Sequence, residues 1–353
     1  MMENTREVRE KETDDASRER IFTLDVLRGF ALVGIALVNV RGLIGAVGAT
    51  DSALDRYIGN FETFFVAGRF YPIFAFLFGV GFFVFMRNAE RRGDKLRLLF
   101  ARRLGVLFLL GVAHQFLQPG EALLPYAIFG FLLLPLYRVR SSILLIISVP
   151  FVVLGLWLTP ELGIPGLFLL GTVCGRWGVF EHPDEHLRGL RISGLVFLAA
   201  SVAGLSFQWY VLRQAMRGNL VVADTLAAMY APGLPMAGLY IVVLTLALRK
   251  TSVRNLFRPL AAYGKTALTN YIGATLFFLA GAYVLRSVGV GTPTQVHGLL
   301  MCLALYAFQI PSSVLWLSRY RLGPLEWAWR ALTYGEIPPL RKDAPGTITL
   351  QSR

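Results

Sequence analysis

The chain has 353 residues, of which 55% are hydrophobic, 13% aromatic and only 16% charged, and its mean hydropathy is +0.56. A soluble domain carries about a quarter charged residues, so this composition belongs to the membrane class. A net charge of +13 would point to nucleic acid in a soluble protein; here the cations sit in short loops beside apolar runs, which excludes nucleic acid and is instead a signal of membrane topology.

Residues 1–20 (MMENTREVREKETDDASRER) are charged throughout. They do not form a signal peptide, and they read as a disordered cytoplasmic tail. A spanning helix needs about 20 mostly apolar residues, and roughly ten segments meet that test. They are 22–45, 68–86, 99–118, 121–137, 141–158, 163–180, 189–212, 225–248, 266–288 and 297–318. Segment 163–180 contains Arg176, and 225–248 is interrupted by APGLP. Segment 51–67 is amphipathic and predicts a helix lying along the membrane interface. The predicted fold class is therefore an all-α, polytopic membrane bundle over 21–335, with a short tail at 336–353. No soluble domain and no fixed repeat remain. Cys174 and Cys302 both fall in apolar runs and form neither a disulfide framework nor a zinc site.

The basic residues alternate between loops. One side collects the N-terminal cations, the Arg87–Arg103 cluster, Arg138 and Arg140, Arg188 and Arg191, and the run from Arg249 to Lys265. The other side keeps Arg41, Arg56, Arg69, Arg213, Arg217 and Arg286. This asymmetry predicts both termini in the cytoplasm, an even helix count and a multi-pass protein of the cell membrane, with the lipid bilayer as its first partner.

Ionisable groups at membrane depth are costly, so they are candidate functional residues. In RIFTLDVLRGFALVGIALVNV, Asp25 and Arg28 are three apart on one helix face and can pair. Asn39 lies eleven residues beyond Arg28, three turns on and on roughly the same face. The set reads either as the lining of a path or as an interfacial ion pair with a capping amide. In GVAHQFLQPGEALLPYAIFG, a short linker brings His114 and Glu121 to the outer interface within reach of each other. A carboxylate that sets an imidazole tautomer suits a general base; the same pair also fits a hydrated polar corner. Arg103 lies three turns inward of His114 on the same helix. In FRPLAAYGKTALTNYIG, Arg258, Lys265, Thr269 and Asn270 read as a phosphate site at a helix N-terminus or as cytoplasmic anchoring. His182 and His186 are four apart but lie in a short loop without further ligands, so no metal is expected there. His297, near the outer end of the last span, is a lesser candidate.

The stretches LDVLRGFALVGIALVN, RFYPIFAFLFGVGF, GVAHQFLQPGEALLPYAIFG, YGKTALTNYIG and GPLEWAWRALTYG occur in that order. Together they resemble the YeiB-type membrane proteins, domain-of-unknown-function family 418, over most of 20–336. The first and the FAFLFGVGF segments also resemble, more distantly, the transmembrane acyltransferases, such as heparan-α-glucosaminide N-acetyltransferase. Those enzymes pass an acyl group from cytoplasmic acyl-CoA to an acceptor on the far side. Their Asp, Arg-Gly and Asn match Asp25, Arg28, Gly29 and Asn39. Their histidine after the first helix has no counterpart between 40 and 67, which makes His114 its substitute; Gly120-Glu121 stands where YeiB-type proteins usually have Gly-Asp.

This resemblance implies an acyltransferase with acyl-CoA as donor substrate. Asp25, Arg28, Arg103, Arg258, Lys265 and Asn270 would hold the donor, and His114, Glu121 and Asn39 would act on a small-molecule, glycan or lipid acceptor, with a homodimer as a possible assembly. The rival reading is a transporter or flippase, gated where Pro232-Gly233, Pro235 and Pro311 would break their helices. A third is a non-catalytic membrane partner whose polar residues tolerate substitution.

Overall fold

The computed structural model describes residues 2–46, 52–93, 95–218 and 231–342, with side chains from residue 22 onward. The helices are α1 (Met2–Ile44), α2 (Ala53–Phe65), α3 (Phe70–Arg91), α4 (Leu96–Gln115), α5 (Leu123–Gly130), α6 (Leu133–Leu136), α7 (Ser141–Trp157) and α8 (Pro160–Trp177). They continue with α9 (Leu187–Met216), α10 (Gly233–Ala247), α11 (Thr251–Leu256), α12 (Arg258–Lys265), α13 (Ala267–Ser287), α14 (Gln295–Arg319) and α15 (Pro324–Tyr334). The described residues hold no strand beyond an isolated bridge between Tyr320 and Arg341. Among the described residues, five stretches are long and apolar enough to cross a membrane: Phe22–Ile44, Ala53–Arg91, Leu187–Met216, Ala267–Ser287 and Gln295–Arg319. The protein is a multi-pass, all-α membrane bundle.

Lipid tails are as apolar as leucine, so helices in a membrane associate through close packing rather than through the hydrophobic effect. Here glycine permits that closeness. A β-carbon on Gly79 would overlap the Phe168 carbonyl, and one on Gly171 would overlap the Phe76 carbonyl, so α3 and α8 touch backbone to backbone. In the same way Gly264 seats α12 on the Asp25 carbonyl of α1, and Gly29 seats α1 on the Leu260 carbonyl of α12. At the other extreme, only 6% of the apolar window of α9 is buried. It turns Leu195, Val196 and Val202 to lipid and places Trp209 and Tyr210 near one end, the position favoured by interfacial aromatics.

Several predicted elements differ from those observed. The backbone is helical from Met2, although 1–20 reads as a disordered tail; its many Glu, Arg and Lys residues are strong helix formers. The predicted span 121–137 is two short helices, α5 and α6, separated by turns after Gly130, with Pro125 and Pro135 in the run. The start of the predicted span 225–248 and most of the 336–353 tail lie outside the described residues. Pro311 does not break α14, which runs unbroken through it.

The amphipathic α2 is inverted relative to a helix of a soluble protein. Leu54, Tyr57, Phe61 and Phe65 face outward, while Asp55 and Glu62 are buried. Asp55 accepts the backbone N–H of Val296 at 2.9 Å, and Glu62 pairs with Arg41 at 3.4 Å. Apolar surface outside is the cheaper arrangement when the solvent is lipid, and the buried acids each gain a partner.

The glycine contacts give a direct test. Gly171→Ala forces a β-carbon onto backbone that cannot rotate away, and overpacking of this kind costs about 1–3 kcal/mol. Gly105→Ala meets open space and is expected to be neutral or stabilising by up to about 1 kcal/mol, as mid-helix Gly→Ala changes are. Thermal unfolding in detergent, followed by tryptophan fluorescence, is expected to rank Gly171→Ala well below wild type and Gly105→Ala at or above it.

Candidate functional site

A cavity of about 650 Å³ lies between α1, α3, α4, the α12–α13 junction and α15. Its wall is apolar and largely aromatic, formed by Phe70, Phe74, Phe78, Phe82, Phe100 and Tyr126. The two ends differ in chemistry. One carries Arg28, Arg92, Arg103, Lys265 and Arg330 with a single carboxylate, Glu326; the other carries Asn39, Gln118 and Gly120, with Tyr271 also lining the cavity.

Arg103, Lys265 and Arg330 are held at the mouth without a carboxylate at ion-pair distance among the described residues. Arg28 is the exception: its guanidinium pairs with Asp25 at 2.6 Å. Asp25 is buried behind it and does not line the cavity. Arg103 stacks over the Trp329 ring at 3.7 Å and lies 5.3 Å from the Phe85 ring, a cation–π cradle that orients the guanidinium without satisfying its N–H groups. The Trp329 indole N–H donates to the Arg103 carbonyl at 2.9 Å, tying α15 to α4. Among the described residues no carboxylate lies within ion-pair distance of Arg103, Lys265 or Arg330.

Glu326 does not neutralise them because its oxygens are committed elsewhere. The chain breaks between α12 and α13 at Thr266, and the exposed N-terminus of α13 takes the carboxylate of α15 as its cap. Glu326 accepts from the Leu268 N–H at 2.6 Å, the Thr269 N–H at 3.1 Å and the Thr269 hydroxyl at 2.6 Å. Burial pushes this carboxyl above its ordinary range, against the pull of those donors. The N–H groups that the sequence offers to a phosphate are therefore already occupied, which corrects that expectation. Asn270 has a structural place. Its amide donates to the Tyr263 carbonyl at 3.0 Å, Thr266 Oγ1 at 2.8 Å and Ser313 Oγ at 3.0 Å, stitching the helix break to α14. Arg258 is exposed at the start of α12 and does not line the cavity, and neither does Asn270.

His114 and Glu121 do come together, but behind the cavity wall. Gly120 turns the chain at φ +78°, a conformation glycine adopts freely, and Gly111 lets the first turn of α5, at Leu124, lie directly on α4. Glu121 then caps α5, accepting from the Leu123 N–H at 2.6 Å and the Leu124 N–H at 2.5 Å, with His114 Nδ1 3.3 Å from its Oε2. His114 Nε2 lies 2.9 Å from Thr275 Oγ1, and the Thr275 hydroxyl donates to Gln118 Oε1 at 2.7 Å. Both ring nitrogens are engaged and the side chain is 2% exposed, so His114 meets neither the cavity nor the bundle surface. Of the residues read from sequence, the cavity unites Arg28, Asn39, Arg103 and Lys265. It leaves Asp25, His114 and Glu121 as supports, and Arg258 and Asn270 apart.

Sequence reasoning missed Gln118, Tyr271, Arg92, Trp329, Arg330 and Glu326. Gln118 lies inside the quoted loop motif, and the last three lie inside GPLEWAWRALTYG, so family motifs were the available signal. The remaining histidines have local roles. His186 Nε2 meets the Trp177 carbonyl at 3.0 Å, and His297 completes a capping box with Thr294.

Fold and cavity together define a polytopic membrane protein with an internal cavity that is cationic at one end. The family described as "Protein of unknown function (DUF418)" matches residues 174–336. The "Uncharacterized 39.9 kDa protein in amylase 3'region" of Bacillus acidopullulyticus is 38% identical over 343 residues, covering 92% of this chain and 98% of that protein. YxaH of Bacillus subtilis (strain 168) is 26% identical over 405 residues, covering 92% and 97% of the two chains. YeiB of Escherichia coli (strain K12) is 26% identical over 401 residues, covering 91% and 98%. The chain belongs to this DUF418, YeiB-type family. No solved structure matches it.

Removing the cap tests the geometry of the mouth. Glu326→Ala strands the α13 N–H groups and frees α15; loss of a helix cap costs about 1–2 kcal/mol. Glu326→Gln keeps an acceptor and is expected to lose less. Melting temperature in detergent, read beside the emission of Trp329, separates the two.

Proposed function

We propose that this protein is an acyltransferase of the cell membrane that accepts acyl-CoA at its basic mouth. The acyl group then passes to a hydroxyl or amine of an acceptor at the other end of the cavity. The observation that carries this reading is the mouth itself. Among the described residues, Arg103, Lys265 and Arg330 have no carboxylate at ion-pair distance, and they line the entrance of an aromatic-lined cavity. Cations left unpaired beside low-dielectric surface favour a multiply charged anion, and a long apolar cavity favours an amphiphilic one.

Dimensions support the donor. Arg28 and Asn39 both line the cavity, eleven residues apart on α1, and at 1.5 Å per residue this separates them by about 16 Å. The pantetheine arm of coenzyme A has thirteen bonds between phosphate and sulfur, comparable to four extended residues, or roughly 15 Å. Phosphates at the mouth thus place the thioester near Asn39. With the basic loops inside, the mouth opens to the cytoplasm. In the reaction the acceptor oxygen or nitrogen bonds to the thioester carbonyl carbon, the carbon–sulfur bond breaks, and the acceptor's proton ends on the coenzyme thiol. His114 stands behind the wall in this reading and orients rather than abstracts.

Transport of the whole amphiphile is the second reading. It is favoured by one observation: the lining runs from Arg330 at one end of the bundle to Gly120 at the other.

The purified full chain in detergent is expected to bind acyl-CoA saturably. Arg103→Gln and Lys265→Ala are each expected to weaken binding about ten-fold, as loss of a charge-assisted contact does, with a steep salt dependence in wild type. Arg258→Ala, outside the cavity, is expected to bind as wild type does. Absence of binding at millimolar acyl-CoA sinks the donor assignment. In proteoliposomes, release of free coenzyme A with modification of an acceptor marks transfer, whereas appearance of the intact amphiphile on the far side marks transport.

A further inference from the structure

We infer that Gln118, Tyr271 and Asn39 form a site of neutral hydrogen-bond donors for a carbonyl oxygen, with the orientation of Gln118 set from behind by Thr275 and His114. The inference rests on the reading of the cavity as an acyl-CoA site and assigns the group that its inner end recognises.

Three side chains there have unspent capacity. Gln118 is 7% exposed, and its amide oxygen is taken by the Thr275 hydroxyl at 2.7 Å. Its NH2 group has no protein acceptor and borders the cavity. The Tyr271 oxygen accepts the Ala122 N–H at 3.2 Å, which leaves its own proton without a protein acceptor. Asn39 makes no side-chain hydrogen bond among the described residues and lines the same cavity. Donors that border a cavity and have no protein acceptor among the described residues are matched to an acceptor brought by a ligand. No cation lies among them, so the complementary group is a neutral carbonyl whose oxygen gains charge in the reaction rather than a second phosphate.

The hydrogen-bond inventory fixes which face Gln118 presents. Thr275 has one hydroxyl proton, and it goes to Gln118 Oε1. The contact at 2.9 Å between Thr275 Oγ1 and His114 Nε2 therefore has the imidazole as donor, and because the Glu121 carboxylate can only accept, the 3.3 Å contact at Nδ1 has the imidazole as donor as well. With its oxygen held, Gln118 turns its NH2 group to the cavity. Reversal of the His114–Thr275 bond would reverse the amide and present an acceptor instead. His114 is thus a positioning residue, two hydrogen bonds removed from the ligand, and Glu121, fixed by two backbone N–H groups, holds the imidazole from the far side.

The test compares octanoyl-CoA with S-octyl-CoA, its thioether without the carbonyl, on the full chain in detergent by calorimetry. Wild type is expected to prefer the thioester at least ten-fold. Gln118→Glu and Tyr271→Phe are each expected to bring that ratio toward one. Thr275→Val does the same through orientation alone, and Thr275→Ser, which restores the hydroxyl, recovers the preference; a purely structural role for Thr275 would not move a ratio between two ligands. A wild-type ratio near one, or a ratio retained in Gln118→Glu and Tyr271→Phe, overturns the carbonyl site while free coenzyme A binding leaves the donor reading intact. Failure of free coenzyme A and both octyl species to bind overturns the donor reading, and this site with it.

Discussion

The Glu326 carboxylate is the interaction on which the mouth depends. A helix that starts inside a bundle, as α13 does after the break at Thr266, exposes backbone N–H groups where little water reaches them. Something must accept them, and α15 supplies it with two backbone bonds and a hydroxyl bond to one carboxylate. That commitment has two consequences. It clamps α15, with Trp329, across α4, so that Arg103 is held between aromatic rings. It also removes the one carboxylate of the lining from the pool that could neutralise the cations. The positive mouth is thus a by-product of a structural cap.

The rest of the bundle explains why a cavity persists beside such close packing. Where α1 meets α12, and where α3 meets α8, glycine brings backbones into contact and leaves no room for side chains. Phe78 of α3 stacks on Phe168 of α8 at 4.5 Å, beside the glycine contacts, and Phe83 lies against Gly175. Phe70, Phe74, Phe78, Phe82 and Phe85 border the cavity on the side of α4, α13 and α15 and form its aromatic wall. Small residues at the seams and large ones in the gap are two sides of one packing solution.

How much of this the sequence revealed follows from which residues carry a cost signal. Arg28, Arg103 and Lys265 were legible because a cation near an apolar run is expensive and demands a reason. His114 and Glu121 were legible as a pair because a short linker leaves them nowhere else to be. Their burial was not legible, since nothing in HQFLQPGE says which way the loop folds; Gly111, against which Leu124 of α5 lies, reads as an ordinary helix residue. Gln118 and Tyr271 escaped because a neutral amide or phenol costs little at an interface and stands out only once its neighbours are known. The helix start at Thr266 was legible as the beginning of the span 266–288, but its cap was not, because Glu326 lies far along the chain and reaches the Leu268 and Thr269 N–H groups only in the fold. The inward acids of α2 escaped for a different reason: the pattern was seen, but the solvent it faced was taken to be an interface with water.

The unlike ends of the cavity bear on the choice between transfer and transport. The mouth carries Arg103, Lys265 and Arg330, which would stabilise a polyanion there, and the far end offers amides and a phenol but no cation among its lining residues. Moving that anion past the ring of phenylalanines would strip its solvation without replacing it, and such a step costs far more than neutral donors return. Moving a neutral acyl fragment over the same distance carries no such penalty. On the reading proposed for this cavity, the asymmetry holds the charged part of the ligand at one end and releases only its uncharged part at the other. That division suits group transfer across a membrane better than passage of the intact molecule.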